Sequence, residues 1–321
     1  MNMTIQTCAQ ALMKETEKIF VGKKDKIELI LMAIFSGGHV LLDDLPGSGK
    51  TTLIKTISKA LGCGFERIQF TPDLLPADVT GMTIFDQKAN DFRLVKGPVF
   101  TNILLADEIN RAIPRTQAAL LEAMEEKQVT IDGQTLALPK PFFVMATQNP
   151  VEMESTFTLP AAQMDRFFIR LSLEYPDVTE EMEILESLGM GTDYEKIEAV
   201  ASPAVLVSLK EELEDVHISE ALRAYIVKLV HGTRNHPDIK IGASPRASRS
   251  LYQGAKSYAA MQGRDYATPE DVQHIFQGVL SHRIQLRNEA RYGKKSVTDV
   301  LNEILKQTKV EAEVEELFDE K

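Results

Sequence analysis

Two cysteines in 321 residues, Cys8 and Cys63, are too few for a disulfide framework or a cysteine-based zinc cluster. Long apolar runs are missing too. The longest uncharged stretch, Leu29 to Leu42, is interrupted by Ser36, Gly37 and Gly38. It is shorter than the roughly 18 apolar residues that mark a membrane span. No charged segment followed by an apolar one opens the chain, so no secretory signal is expected and a cytoplasmic protein is. Positive charge is not in excess either: 36 Lys and Arg stand against 47 Asp and Glu, a net charge of −11. Six acids between Glu311 and Glu320, opposed only by Lys321, concentrate much of that in an acidic tail over 310–321. Without a basic stripe, nucleic acid is not an expected partner. The six histidines, His39, His217, His231, His236, His274 and His282, show no metal-site spacing and read as structural or solvated.

What is present is a globular composition, 44% apolar, at a length that allows about two domains. Up to about residue 175, short apolar runs alternate with helical patterns, as in a parallel sheet with crossover helices. The expected strands are His39–Leu42, Phe65–Phe70, Asn102–Ala106, Phe142–Ala146 and Phe167–Leu171, with helices over Lys50–Leu61 and Arg115–Glu126. Their near-continuous hydrophobicity suits strands buried on both faces. Two pieces break the alternation. Met82–Val95 has two strand-like halves, and Gln128–Leu138 brackets Asp132-Gly133, a hairpin turn signal. After Tyr175-Pro176 the pattern is helical: Thr179–Leu188, Ser219–His231, Pro245–Met261, Pro269–Val279 and Val297–Lys306. The division expected is therefore an α/β core over 1–175, a helical domain over 176–309, and the tail.

The strongest chemical signal is Pro46-Gly47-Ser48-Gly49-Lys50-Thr51-Thr52, between a strand and a helix. Gly47 and Gly49 let successive backbone N–H groups approach a triphosphate, and the following helix presents its positive N-terminus. Lys50 can then reach the β- and γ-phosphates, and the Thr51 hydroxyl can ligate Mg²⁺. The generic G-x-x-x-x-G-K-[ST] pattern would place glycine where this chain has Asp44. A second apolar strand ends in Asp107-Glu108, a metal carboxylate followed by a general base for an attacking water. Asn149 closes Met145-Ala-Thr-Gln-Asn149, where an amide can meet the γ-phosphate or the water. Arg166 precedes the fifth strand, and Arg246 lies at a helix start in the second domain. Each is a bidentate phosphate donor or, equally, a surface ion-pair partner.

These residues together resemble an AAA+ ATPase, specifically the MoxR family. The runs that carry the resemblance are Ala106-Asp-Glu-Ile-Asn-Arg111, Gln117-Ala-Ala-Leu-Leu-Glu-Ala-Met-Glu-Glu126, Ala146-Thr-Gln-Asn-Pro150, Leu159-Pro-Ala-Ala-Gln-Met-Asp-Arg-Phe167 and Gly242-Ala-Ser-Pro-Arg-Ala247. The resemblance spans about residues 21–283. It implies a P-loop core of five parallel strands with hairpin inserts, a helical lid, bound ATP and Mg²⁺, and assembly into a ring, usually of six. It further implies that Arg166 reaches a neighbour's γ-phosphate, that Arg246 senses its own subunit's nucleotide, and that Val21 and Gly22 line the adenine pocket. Members are similar to chaperones that mature a protein client, often beside a von Willebrand factor A domain protein. A metal-chelatase-like motor subunit is the nearest alternative, and a DNA-handling AAA+ motor a more distant one.

Overall fold

The computed structural model describes residues 3–43, 47–149, 156–188 and 196–310. The chain begins with two helices, α1 (Ile5–Glu17) and α2 (Lys24–Phe35), to which the sequence reading assigns no element. Then come β1 (Val40–Asp43), α3 (Lys50–Ala60), β2 (Phe65–Gln69), α4 (Pro76–Thr80), β3 (Gly81–Asp86), β4 (Asp91–Lys96) and β5 (Ile103–Asp107). A 3-10 turn, Ile109–Arg111, leads to α5 (Pro114–Glu126), β6 (Gln128–Ile131), β7 (Gln134–Ala137), β8 (Phe143–Gln148), α6 (Ala161–Met164) and β9 (Ile169–Leu171).

Five strands form one parallel sheet in the order β2-β5-β8-β1-β9. Its central strands are closed to solvent along their length: Leu41, Leu104, Leu105, Val144 and Met145 are all fully buried. Helices cover both faces, so both side-chain rows of the central strands must be apolar, whereas edge strand β2 leaves Glu66, Arg67 and Gln69 exposed. The two pieces that interrupt the alternation form separate antiparallel hairpins, β3–β4 and β6–β7. The second turns through Asp132 and Gly133, both with positive φ, as the Asp-Gly pair anticipates.

Beyond residue 175 lie α7 (Val178–Leu188), α8 (Pro203–Asp215), α9 (Glu220–Asn235), β10 (Ile239–Ile241), α10 (Pro245–Met261), α11 (Pro269–Leu280), β11 (Gln285–Leu286), α12 (Asn288–Tyr292) and α13 (Val297–Gln307). Among its described residues the lid is helical apart from one short antiparallel ribbon, β10 with β11, and an isolated parallel bridge between His217 and Tyr266. Of the expected tail, residues 311–321 lie outside the described residues.

Lid and core share one hydrophobic interior. A single cluster joins Leu12 of α1, Met32 of α2, Ile54 of α3, Ile169 of β9 and Leu251, Ile275 and Val279 of the lid. Glycines set the closest approaches. A Cβ at Gly278 of α11 would come within 2.8 Å of Ile169, and one at Gly254 of α10 within 2.6 Å of Ile275 and 3.3 Å of the Met32 sulfur. Polar contacts finish the joint. Arg283 donates to Asp165 Oδ1 at 2.8 Å and to the Phe167 carbonyl at 2.7 Å, and the α10 cap Ser244 donates to Asp165 Oδ2 at 2.7 Å.

Candidate active site

In a parallel sheet every strand ends on the same edge, and here that edge collects the polar residues. β1 runs out at Asp43, and the chain returns through Gly47 (φ 88°) and Gly49 (φ 81°) into α3 at Lys50. L side chains are strained at such φ, so glycine is the residue that permits this loop. A Cβ on Gly47 would meet no atom within 4 Å, whereas one on Gly49 would lie 2.9 Å from the Phe20 ring. The cradle is thus open at Gly47 and floored by Phe20 at Gly49. No acid occupies the first turn of α3, leaving its positive end uncompensated by a side chain of that turn. The Ser48 hydroxyl is buried and has no hydrogen-bond partner among the described residues. Pro46, with Asp44, lies outside the described residues.

The acids stand on the same edge. β8 lies between β1 and β5, so two strand spacings, about 10 Å, separate the glycine loop's strand from that of Asp107. Thr147 of β8 ties the pair together. Its hydroxyl donates to Asp107 Oδ1 at 2.6 Å and accepts the Glu108 backbone N–H at 2.9 Å. Glu108 sits in the left-handed region (φ 54°), a strained conformation for a side-chain-bearing residue. Edge strand β2 contributes the rest: Arg67 donates to Asp107 Oδ2 at 2.7 Å, and Gln69 to Glu108 Oε2 at 2.7 Å. Arg111 also reaches Glu108 Oε2, at 3.0 Å. Asn149, the residue after β8, is buried beside these groups, its carbonyl accepting from Asn110 at 3.4 Å. Asp43 closes the row by accepting from Gln148 and Arg170, one on each neighbouring strand.

The Val21-Gly22 segment follows Phe20 and so leaves the floor of the loop directly. Gly22 has φ 75°, and a Cβ there would fall 2.1 Å from Glu180 Oε1 at the start of α7; Lys23 pairs with the same Glu180 at 3.2 Å. The segment therefore lies between the glycine loop and the first lid helix.

The family model for the AAA ATPases, "ATPase family associated with various cellular activities", matches residues 39–169, and the AAA lid domain model matches 231–304. Chaperone MoxR1 of Mycobacterium tuberculosis is 41% identical over 300 residues, covering 91% of this chain and 79% of that protein. The chain belongs to the MoxR family of AAA+ ATPases. YeaC of Bacillus subtilis, an uncharacterised protein, is 45% identical, with 91% of this chain and 92% of that one covered. A candidate ATPase of Cytophaga hutchinsonii, known from its crystal structure, superposes with a TM-score of 0.90 at 39% identity, covering 96% of both chains.

In this MoxR-family fold Arg246 lies beside Arg166, through Glu125. Phe168 N–H donates to the His39 carbonyl, and His39 Nε2 contacts the Met124 carbonyl, so Arg166 and the end of α5 both belong to the edge where strands begin. Glu125 there pairs with Arg166 Nε at 3.1 Å and also with Arg246. The structure brings Arg246 to Arg166, not to Lys50. β1 separates them from its own glycine loop by roughly 13 Å of strand.

Two residues beside the acids have no motif to mark them, Arg67 and Gln69, and Thr147 sits unremarked inside the run that ends at Asn149. Arg67 and Gln69 alternate on one face of β2, a pattern any half-exposed edge strand shows, and only the pairing of β2 with β5 brings them to the acids. A second polar cluster, His236, Asp238 and Glu303, has a metal-like spread, but Lys295 already donates to both carboxylates at 2.7 and 2.8 Å. It is a lid ion-pair network.

Proposed function

We propose that this MoxR-family chain is an Mg²⁺-dependent ATP hydrolase, ATP and water going to ADP and phosphate, that works as a soluble cytoplasmic ring. The turnover would drive remodelling or maturation of a protein client. A six-membered ring, and a client associated with a von Willebrand factor A domain protein, are the expected forms. The observation that carries the reading is the open cradle at Gly47, with the buried Ser48 hydroxyl that has no partner among the described residues, on the same sheet edge as Asp107 and Glu108. A buried hydroxyl left unmatched costs about 1–3 kcal/mol, which a bound phosphate oxygen would recover.

The donor set fits Mg-ATP. Gly47, Ser48, Gly49, Lys50 and Thr52 would hold the phosphates, with Val21 and Gly22 beside the base. Thr51 and Asp107 would hold the metal, a hard cation that takes hydroxyl and carboxylate oxygens. Bound Mg²⁺ would supply neutralisation of charge on the β- and γ-oxygens. Glu108 would accept a proton from the attacking water, and Thr147, holding both Asp107 and the Glu108 backbone, would fix their separation. Asn149 would orient that water or the γ-phosphate. Arg166, and with it Arg246, would be presented to the nucleotide of a neighbouring subunit, where a guanidinium stabilises charge on the transferred phosphoryl group.

Two variants divide these roles. Lys50→Ala should weaken nucleotide binding, and Glu108→Gln should keep binding while losing turnover. Affinity is read by titration with a fluorescent ATP analogue, and hydrolysis by phosphate release. A Glu108→Gln protein that turns over at the parental rate would refute the assignment of the base. The same variant, loaded with ATP, is the form in which to capture the client.

A further inference from the structure

Glu125 holds a position that helix physics disfavours. It lies in the last turn of α5, a helix with no basic residue there, where the macrodipole repels a carboxylate. Arg246 is misplaced in the opposite sense, in the first turn of α10, at the positive end of its helix. The two meet each other, and Arg166 joins them from the loop between α6 and β9 at 3.1 Å from Glu125 Oε2. The nearby Asp165 is engaged elsewhere, by Arg283 at 2.8 Å and Ser244 at 2.7 Å. Glu125 is therefore the carboxylate that serves both arginines. All three side chains keep roughly a third to a half of their surface in solvent, so the group is reachable from outside the subunit.

We propose that Glu125 is a positioning residue that binds Arg166 of the core and Arg246 of the lid into one unit with a net charge of +1. The inference rests on the reading that Arg166 acts on a neighbour's nucleotide. Two guanidiniums brought to one place repel, and a shared carboxylate removes that repulsion while leaving a net positive group for phosphate. Because one arginine belongs to each domain, a shift of α10 relative to the sheet moves Arg166 through Glu125. Nucleotide bound by the neighbour would then report on the lid of this subunit.

The test uses the full-length assembled protein carrying Glu125→Ala, Glu125→Gln or Arg166→Ala, and the Glu125→Ala/Arg166→Ala pair. A loss of alignment on the scale of 1 Å costs on the order of 100-fold in rate. Glu125→Ala should therefore lower kcat by roughly 10- to 100-fold, with the KM for ATP and the affinity for a fluorescent ATP analogue within about twofold of parental. Glu125→Gln, which keeps the shape without the charge, should fall between. In the Arg166→Ala background the added loss from Glu125→Ala should be less than about twofold, since both act through one group. Mixing Glu125→Ala with Glu108→Gln subunits should restore part of the activity, because some interfaces then pair an intact base with an intact arginine unit. Parental kcat in Glu125→Ala beside an impaired Arg166→Ala would overturn the role of Glu125 alone. Parental kcat in Arg166→Ala would overturn the reading beneath it. Equal losses of kcat and nucleotide affinity, or full additivity in the double variant, would reduce Glu125 to a structural contact and overturn the proposal.

Discussion

Replacing Arg283 by Met should separate the lid from the core more than any surface change can. The guanidinium is 2% exposed and the paired Asp165 carboxylate 16%. Beyond the Asp165 pair at 2.8 Å, Arg283 donates to the Phe167 carbonyl at 2.7 Å, the Phe168 carbonyl at 3.1 Å, Ser250 Oγ at 3.1 Å, and the Val279 carbonyl. Burial lowers its pKa to about 10, with Asp165 opposing the shift, so it remains charged at neutral pH. A methionine fills most of the volume and supplies none of the donors. Breaking a buried pair by removing one partner costs about 3–5 kcal/mol. At roughly 2–4 °C per kcal/mol for a chain of this order, the Tm should fall by about 10 °C. Urea and thermal denaturation without nucleotide measure both. The companion Asp165→Asn/Arg283→Met leaves no unpaired charge and should recover part of the loss. A single variant that loses less than about 1 kcal/mol, or a double variant equal to the sum of its singles, would refute the reasoning.

Two further outcomes are expected. His39 is buried, accepts the Val144 N–H at Nδ1 (3.0 Å) and donates from Nε2 to the Met124 carbonyl (3.1 Å), and burial, reinforced by Lys127, lowers its pKa from 6.5 to about 4. Above pH 6.5 it is neutral folded or unfolded and contributes nothing to pH dependence. As the pH falls below that, the unfolded chain takes up a proton the fold refuses, so stability declines, by about 3 kcal/mol at pH 4. His39→Gln should flatten urea-melt stability between pH 7 and 4.5, and an unchanged slope would contradict the assignment. On the β3–β4 hairpin, Phe85 and Phe92 are 51% and 70% exposed and touch edge to face at 5.4 Å. Replacing both by Ser should leave stability within about 0.5 kcal/mol and basal hydrolysis unchanged. Loss of either would show that the two rings pack against other residues in the assembled protein.

The sheet, its hairpins and the chemistry of its edge were legible in the residues alone. Strands buried on both faces must be continuously apolar, as Ile103–Ala106 and Phe142–Ala146 are, and phosphate-binding loops need glycine where φ is positive, as at Gly47 and Gly49. Those constraints act on neighbours in the chain, so they leave a local pattern. α1, α2 and α8 left a weaker one. The second of these is buried almost all round, with Leu29 through Phe35 enclosed, and so shows little of the polar–apolar alternation that marks a surface helix. Which side chains meet follows from the packing of elements distant in the chain. Arg67 and Gln69 reach Asp107 and Glu108 because β2 pairs with β5, and His282 and Arg283 bind the core carbonyls because α11 packs on β9. Arg246 is the sharpest case: its motif shows a guanidinium at a helix start, while the docking of α10 on the strand-starting edge places it beside Arg166 and Glu125. A motif records chemical type at fixed spacing. Where that chemistry is delivered depends on the packing of residues more than a hundred positions apart.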